Sequence, residues 1–348
     1  MNKIIYLFKR IIGLDFKGLW DRVEQVRELT GMHHLAILWD MLLCGIRYEA
    51  GYIDYTIFGM YDMTDEQRAT ILTRGKNTRY VRALNNREDY HYFNNKTEFL
   101  ALFEKECGRE FLDLSQSDPD TFADFVIQHP IFIAKPQDGL CGKGVEKCSL
   151  DPEEGLMGLY NRLKTGGQTL LEPVLEQHDK INKIYAGSVN TLRMVTMVDD
   201  EGNPHLLYSA LRIGSGGAVV DNFNSGGMVV PVDPKTGKLE KYAVNKAGQA
   251  FERHPDTDIL FEGYALPLWK QSLLLAYNAS KKVPGVRLVG WDLCITPDGP
   301  VLVEGNHYPG HDIYRPVPQN PEKKGLLPAF NAVVPYSSLE ERIKEKNK

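Results

Sequence analysis

Apolar positions recur at helical spacing through the first ninety residues and at strand spacing through most of the chain beyond them. In 19–30 (LWDRVEQVRELT), Leu19, Val23, Val26 and Leu29 fall on one helical face. The run 34–46 (HLAILWDMLLCGI) reads as a second helix. It is apolar almost throughout, which predicts burial, and it is too short and too interrupted by Asp40 to be a membrane span. Residues 62–66 (DMTDE) supply capping types ahead of the helical run EQRATIL. The stretch 96–106 (KTEFLALFEKE) is amphipathic and stops near Gly108.

Beyond about residue 110 the texture becomes that of short β-type runs. These are IFIAKP (131–136), TLLEPVL (169–175), TLRMVTMVD (191–199), HLLYSALRIG (205–214), GMVVPVD (227–233), RLVGWDLCIT (287–296) and PVLVEGN (300–306). Turn signals at 200–203 (DEGN) and 297–299 (PDG) separate some of them, and helical patches intervene at 151–163 and 266–279. Helices followed by mainly antiparallel strands predict an α+β chain. The expected division is a helical region over 1–90, the main domain over 91–335 and a charged, solvated helical tail over 336–348.

Composition narrows the class. Forty-one basic against forty-six acidic side chains leave a net charge of −5, which argues against a nucleic-acid binder. The five cysteines are scattered with no CxxC pair, so neither a disulfide framework nor a zinc ribbon is expected, and a reducing, cytoplasmic compartment fits. The opening MNKIIYLFKRIIGL resembles a signal peptide, but Lys9 and Arg10 cut its apolar run short. With Lys3, Lys9, Arg10 and Lys17 among apolar residues, this segment fits either a docking helix or contact with a membrane surface; the docking helix is the preferred reading.

Four constellations carry candidate chemistry. In 290–306 (GWDLCITPDGPVLVEGN), a Pro-Asp-Gly turn joins two strands. Glu304 and Asn306 share a face, and the hairpin is expected to bring Asp292 opposite them. Two carboxylates and an amide oxygen on otherwise apolar strands suit Mg²⁺ bridging phosphates better than a solvated strand face. In IFIAKPQDGLCGKGV (131–145), Lys135 ends an apolar strand ahead of Gly139, Gly142, Lys143 and Gly144, as in a flap whose backbone N–H groups approach phosphate; a Walker A pattern is absent. The strand 170–175 is broken by Pro173 after Glu172, leaving backbone groups for an adenine edge. Last, Arg193 and Arg212 lie on strands, with an amide-rich run from Asp221 through Asn222 beyond them. Arginines so placed suit a carboxylate or a transferring phosphoryl group, and equally a structural ion pair.

In this order, the set resembles the ATP-grasp superfamily over roughly residues 91–315. Through 54–58 (DYTIF), 132–145 and 188–227 it is most similar to the sugar-transfer-associated ATP-grasp proteins. The resemblance implies an ATP-grasp fold, two α+β lobes gripping ATP, with a helical N-terminal extension. It implies Lys96 and Lys135 on the ATP phosphates, the loop 138–144 closing over them, and residues 172–175 (Glu172 and Val174 among them) around adenine. Asp179, or else Glu176, would meet the ribose. Asp292, Glu304 and Asn306 would hold one or two Mg²⁺ ions, and Arg212, with Arg193 and Asn222, would face the reacting groups. His307, Tyr308 and His311 fall where acceptor substrate is expected, or are packing residues.

The implied activity joins a small-molecule carboxylate to an amine or sugar-linked nucleophile through an acyl phosphate, in cell-surface polysaccharide biosynthesis. A small-molecule or sugar kinase and a non-catalytic nucleotide-binding subunit are the alternatives. Asp292→Asn is expected to remove Mg²⁺-dependent turnover with the fold intact.

Overall fold

The computed structural model describes residues 15–138, 144–217, 221 and 226–347. The chain divides into two units, one made of Met1–Arg79 with His311–Pro328 and the other of Tyr80–Gly310 with Ala329–Lys348.

The first unit is helical. Its first described helix, Phe16–Thr30, is capped by the Asp15 side chain accepting from Gly18 N–H and closes on Gly31 at φ 71°, a left-handed conformation that glycine adopts without strain. A short helix, Asp65–Ala69, starts with a Thr64/Gln67 capping box, in line with the capping residues of the sequence. The second helix, His34–Tyr48, departs from its expected burial. Ile37, Met41 and Cys44 enter the core, but Leu35, Trp39, Leu42 and Ile46 are exposed. Asp40, the acidic residue inside this helix, turns inward: its carboxylate accepts from Tyr55 Oη (2.7 Å) and from both ends of the Arg68 guanidinium (2.8 and 2.7 Å). Asp54, also buried, accepts from the backbone N–H groups of Gly51 and Arg74 and contacts His311 Nε2 at 2.6 Å.

The second unit carries two antiparallel sheets. The strands in chain order are β1 Leu112–Asp113, β2 Ile131–Lys135, β3 Glu146–Ser149, β4 Leu170–Pro173, β5 Leu192–Val198, β6 Pro204–Ile213, β7 Met228–Pro231, β8 Ala243–Asn245, β9 Ala250–Phe251, β10 Leu288–Ile295 and β11 Pro300–Asn306. Four form the sheet β1-β4-β2-β3, and seven form β11-β10-β5-β6-β7-β8-β9. The seven apolar runs read from the sequence correspond to β2, β4, β5, β6, β7, β10 and β11, with ends within two residues.

Strands β2 and β3 of the small sheet bury one face by alternation, whereas β5 and β10 of the large sheet are buried at every position. In the small sheet, Phe132, Ala134, Cys148 and Leu171 pack with Phe122 and Phe125 of the helix Pro119–Gln128 and with Leu159 and Leu163 of the helix Gly155–Thr165. In the large sheet, Leu192, Met194, Val289, Trp291 and Leu293 pack against the helix Trp269–Ser280 and the aromatic group Phe93, Phe99 and Phe103. Leu170 joins this larger core while its neighbour Leu171 joins the smaller one, so β4 is shared between them. The C-terminal helix Leu339–Lys346 is not simply solvated: Leu339 and Ile343 are buried, and Arg342 forks onto Asp200 at 2.8 and 2.6 Å.

Candidate active site

The hairpin β10–β11 is regular from Ile295↔Pro300 to Leu293↔Leu302, and then slips by one residue, so that Asp292 pairs with Glu304 and Gly290 with Asn306. Leu302 and Val303 together oppose Leu293, which is a β-bulge. The consequence is visible in burial along β11: Leu302 and, three positions later, Gly305 face the core. A Cβ on Gly305 would sit 2.8 Å from Phe99 and 3.0 Å from Phe93 and Trp291, so only glycine lets the strand lie on those rings. Glu304 and Asn306 are thereby turned to the face that carries Asp292.

On its other side Asp292 pairs with Arg193 of β5, which makes a row Arg193–Asp292–Glu304 across three strands. Arg193 donates through Nε (2.5 Å) and Nη2 (2.8 Å) to the two oxygens of Asp292, and Arg212 of β6 donates through Nη1 at 2.8 Å. Burial penalises the Asp292 charge most, but the two guanidinium groups outweigh that penalty and hold its carboxyl below the usual range. Glu304 is shifted the opposite way, raised first by burial and then by the neighbouring Asp292 charge. Among the described residues its carboxylate takes no hydrogen bond or ion pair.

Asp221 closes the set behind Arg212, 3.5 Å from its guanidinium. Its carboxylate accepts from Thr191 N–H at 2.8 Å and from Thr191 Oγ1, and burial raises its pKa.

The small sheet contributes a second charged group. Glu172 lies opposite Ile133 and on the same face as Lys135, whose Nζ donates to it at 2.7 Å. Arg109 donates to Glu172 at 3.3 Å and to the carbonyl of Leu302 in β11 at 2.6 Å, tying the two sheets through one guanidinium. Burial works against the Glu172 charge, yet Lys135 and Arg109 keep its pKa below the ordinary value. Lys96 opens the helix Lys96–Leu102 and reaches the Gln137 carbonyl at 3.4 Å. Burial lowers its pKa, and Glu304, Lys135, Asp138 and Glu172 all act on its charge. Lys96, Lys135, Glu172, Arg193, Arg212, Asp292 and Glu304 thus form one electrostatically coupled group.

The other sequence candidates fall at varied distances from this group. Gly144 adopts φ 74°, and a Cβ there would press on Pro136 at 2.9 Å. Gly139, Gly142, Lys143 and Asn222 lie outside the described residues, as does Cys141. The other four cysteines are free and buried, and burial raises their thiols to about 11 or 12. The Glu172 carboxylate pairs with Lys135 and Arg109. Val174 is 38% exposed just past β4. Asp179 is exposed in the first turn of the helix Asp179–Ile184, and Glu176 is exposed before it. His307 stacks on Tyr90 (3.8 Å between centroids) and contacts Asn94 at 3.0 Å, an arrangement of packing rather than display. His311 belongs to the first unit, where it contacts Asp54.

Arg109 and Asp221 were not singled out from the sequence. Asp221 stood in the amide-rich run, whereas Arg109 has no local signal, since the partners that join the two sheets through it, Glu172 and Leu302, lie 63 and 193 residues away.

A divalent cation fits part of this donor set. Among the described residues no three His, Cys, Asp or Glu side chains are grouped to hold a metal. Glu304 offers a carboxylate that takes no hydrogen bond among the described residues, within the field of Arg193, Lys135 and Lys96, and Asn306 Oδ1 is oriented by the N–H of Tyr308 at 2.8 Å with a lone pair to spare. Asp292 can join them once an arginine exchanges its carboxylate for another anion. An incomplete oxygen set finished by phosphate and water is what Mg²⁺ prefers.

The model of the family described as sugar-transfer associated ATP-grasp matches residues 75–333. The chain belongs to this family. Its α+β architecture, two sheets with a helical N-terminal region, is that of an ATP-grasp protein. Among solved structures it is similar to the ATP-grasp ligase PsnB complexed with minimal precursor, at 13% identity over 73% of this chain and 64% of that one, with a TM-score of 0.43. It is also similar to the D-cycloserine synthetase DcsG (13%, 75% and 73%, TM-score 0.41). A third is an ADP complex of purK, an N5-carboxyaminoimidazole ribonucleotide synthetase (10%, 63% and 46%, TM-score 0.38). The chain therefore spans less than two thirds of PsnB and less than half of purK. No curated protein matches it.

Proposed function

We propose that this chain is an ATP-dependent ligase that activates a small-molecule carboxylate as an acyl phosphate and passes it to an amine or sugar-linked nucleophile, in making or modifying cell-surface polysaccharide. The nucleotide-handling domain is taken as 91–335, behind the helical region 1–90, in a reducing cytoplasmic compartment. The observation that carries the reading is the convergence of Lys96, Lys135, Arg193 and Arg212 with Asp292 and Glu304 in one charged, largely buried group.

Lys96 and Lys135 are the cations for the triphosphate, and Glu172 holds Lys135 in place while Arg109 balances Glu172. Glu304, Asn306 and Asp292 would hold Mg²⁺, which would supply positive charge against the phosphate oxygens. A substrate carboxylate oxygen then bonds to the γ-phosphorus as the bond to the ADP oxygen breaks. The nucleophile attacks the acyl carbon, phosphate leaves, and the proton of the attacking nitrogen goes to solvent or phosphate. Arg212 and Arg193 present guanidinium donors suited to the transferring phosphoryl group and to the tetrahedral oxyanion. Residues 138–144 would close over the phosphates and keep water from the acyl phosphate, with Gly139, Gly142 and Gly144 giving the backbone its freedom and Lys143 a further charge. Residues 172–175, with Val174 exposed at the strand end, would take the adenine, Asp179 or Glu176 the ribose, and Asn222 a place beside Arg212.

The test is a mass-spectrometric screen for ADP-coupled condensation of amino acids with uronic acids and amino sugars. An amide or ester product appearing in step with ADP and free phosphate is expected. A phosphorylated product without free phosphate would replace the ligase by a kinase, and nucleotide binding without turnover of any acceptor would leave a binding subunit.

A further inference from the structure

The helix His34–Tyr48 is apolar on both faces, and the described residues cover only one of them. Leu35, Trp39, Leu42 and Ile46, spaced four, three and four residues apart, line one side of the helix and are 70%, 62%, 41% and 47% exposed. On the helix before it Phe16 and Trp20 are also exposed, with Trp20 stacked on His34 at the start of the stripe. The stripe alone shows on the order of 400 Å² of apolar surface, the size at which a patch on a monomer marks a contact surface. Among the described residues no single helix is long and apolar enough to cross a membrane; Phe16–Thr30 and His34–Tyr48 reach that length only together, as a pair bent by 113°.

Charge identifies the occupant. Within the helix Asp40 is spent internally on Arg68 and Tyr55, so charge on the stripe side is confined to its ends. The sequence leading into Phe16 and Trp20 (MNKIIYLFKRIIGLDFK) holds Lys3, Lys9, Arg10 and Lys17 among apolar residues, with no acidic side chain before Asp15, on a chain whose net charge is −5. Two exposed tryptophans, in a chain whose sequence runs into Phe16 through a basic, apolar stretch, match the headgroup region of an anionic bilayer, where aromatic rings sit and lysines meet phosphate.

We infer that the stripe Leu35–Trp39–Leu42–Ile46 rests in the surface of a membrane containing anionic phospholipid, lying on it without crossing it. The inference does not depend on the ATP chemistry, and its readout is not activity. The full-length chain is floated with vesicles of phosphatidylcholine alone and with phosphatidylglycerol added. It should float with the anionic vesicles and be released by high salt. A Leu35→Gln/Trp39→Gln/Leu42→Gln variant should bind roughly tenfold less or weaker still, with an unchanged melting temperature because these side chains are already exposed. Failure to float, or flotation untouched by the triple variant, overturns the inference. So does a concentration-dependent dimer that the triple variant dissolves in the absence of lipid binding, which would assign the stripe to a second copy. Lys9→Glu/Arg10→Glu should lose the preference for anionic vesicles, and equal flotation of that variant overturns the choice of lipid.

Discussion

Replacing either carboxylate of the Asp292–Glu304 pair by its amide removes one charge from the same site, yet the two changes should act on stability in opposite directions. Asp292 is 5% exposed and takes three hydrogen bonds from Arg193 and Arg212. In Asp292→Asn an NH₂ group must face an arginine N–H in either amide orientation, Arg193 loses its paired carboxylate, and Arg212 keeps only Asp221 at 3.5 Å. Breaking a buried pair in this way costs about 3–5 kcal/mol. For a unit of this size that is a fall in Tm of roughly 6–20 °C. The sequence-based expectation that this variant keeps its fold intact is therefore revised: loss of turnover should come with loss of stability. Glu304 has its ionisation opposed by burial and by Asp292, so Glu304→Gln removes a repulsion and should melt at or above the wild-type temperature.

Thermal denaturation by circular dichroism, paired with calorimetric titration of ADP with and without Mg²⁺, separates the two effects. Both variants should lose the Mg²⁺-dependent part of nucleotide binding, and only Asp292→Asn should be destabilised. An Asp292→Asn protein melting within a degree or two of wild type would falsify the buried ion-pair account. A Glu304→Gln protein that keeps its full Mg²⁺ dependence would remove Glu304 from the cation site.

Other predictions rest on neighbouring residues. Lys135→Ala should weaken ATP binding tenfold or more by calorimetry and cost about 1–3 kcal/mol in urea denaturation, because Glu172 keeps only Arg109; unchanged affinity removes Lys135 from the site. Gly305→Ala should cost about 1–3 kcal/mol through overpacking on Phe93, Phe99 and Trp291 and should also weaken Mg²⁺-nucleotide binding by shifting Glu304 and Asn306; a variant stable and active as wild type refutes that packing. The pH dependence has two signs. Asp292 and Glu172 have lowered pKa values, so their stabilisation is present above the ordinary carboxylate range near 4 and is lost as pH falls through the folded values. Glu304 has a raised pKa, so its contribution is full below that range and is lost as pH rises through the folded value. Stability measured from pH 3 to 7 should therefore rise less steeply in Glu172→Gln than in wild type and more steeply in Glu304→Gln, and identical slopes in all three would contradict both assignments.

Much of the fold was legible because it rests on local periodicity. β11 matches its apolar run residue for residue, and the Thr64 capping box and the Pro-Asp-Gly turn are short-range chemistry. What local pattern does not carry is the identity of distant partners. Arg193 and Arg212 lie 99 and 80 residues from Asp292, so their arrival at its carboxylate could not be read from spacing. Arg109 is invisible for the same reason. The helix His34–Tyr48 misleads in another way, since an apolar residue on every face implies burial only when every face finds a neighbour. The tail was read from its charges as solvated, although Leu339 and Ile343, four apart, are the pair that docks it.

The pairing of Asp292 with Glu304 shows how narrowly such a reading can succeed. Continuing the register of Ile295↔Pro300 without a break would set Asp292 opposite Val303 and Glu304 opposite Trp291, turning Glu304 toward the aromatic core. Face alternation has a period of two, so a slip of one residue inverts every side chain beyond it. The extra residue at Leu302–Val303 supplies that slip. Glycine at 305, where the rings of Phe93, Phe99 and Trp291 leave no room for a Cβ, favours the slipped register, because that register is the one placing position 305 against the core. A carboxylate in that position would be desolvated without a partner, which costs far more than the ladder hydrogen bonds a bulge disrupts. The juxtaposition of the two acids thus depends on packing beneath the strand as much as on the short turn, and the glycine between Glu304 and Asn306 is as necessary to the site as the side chains it separates.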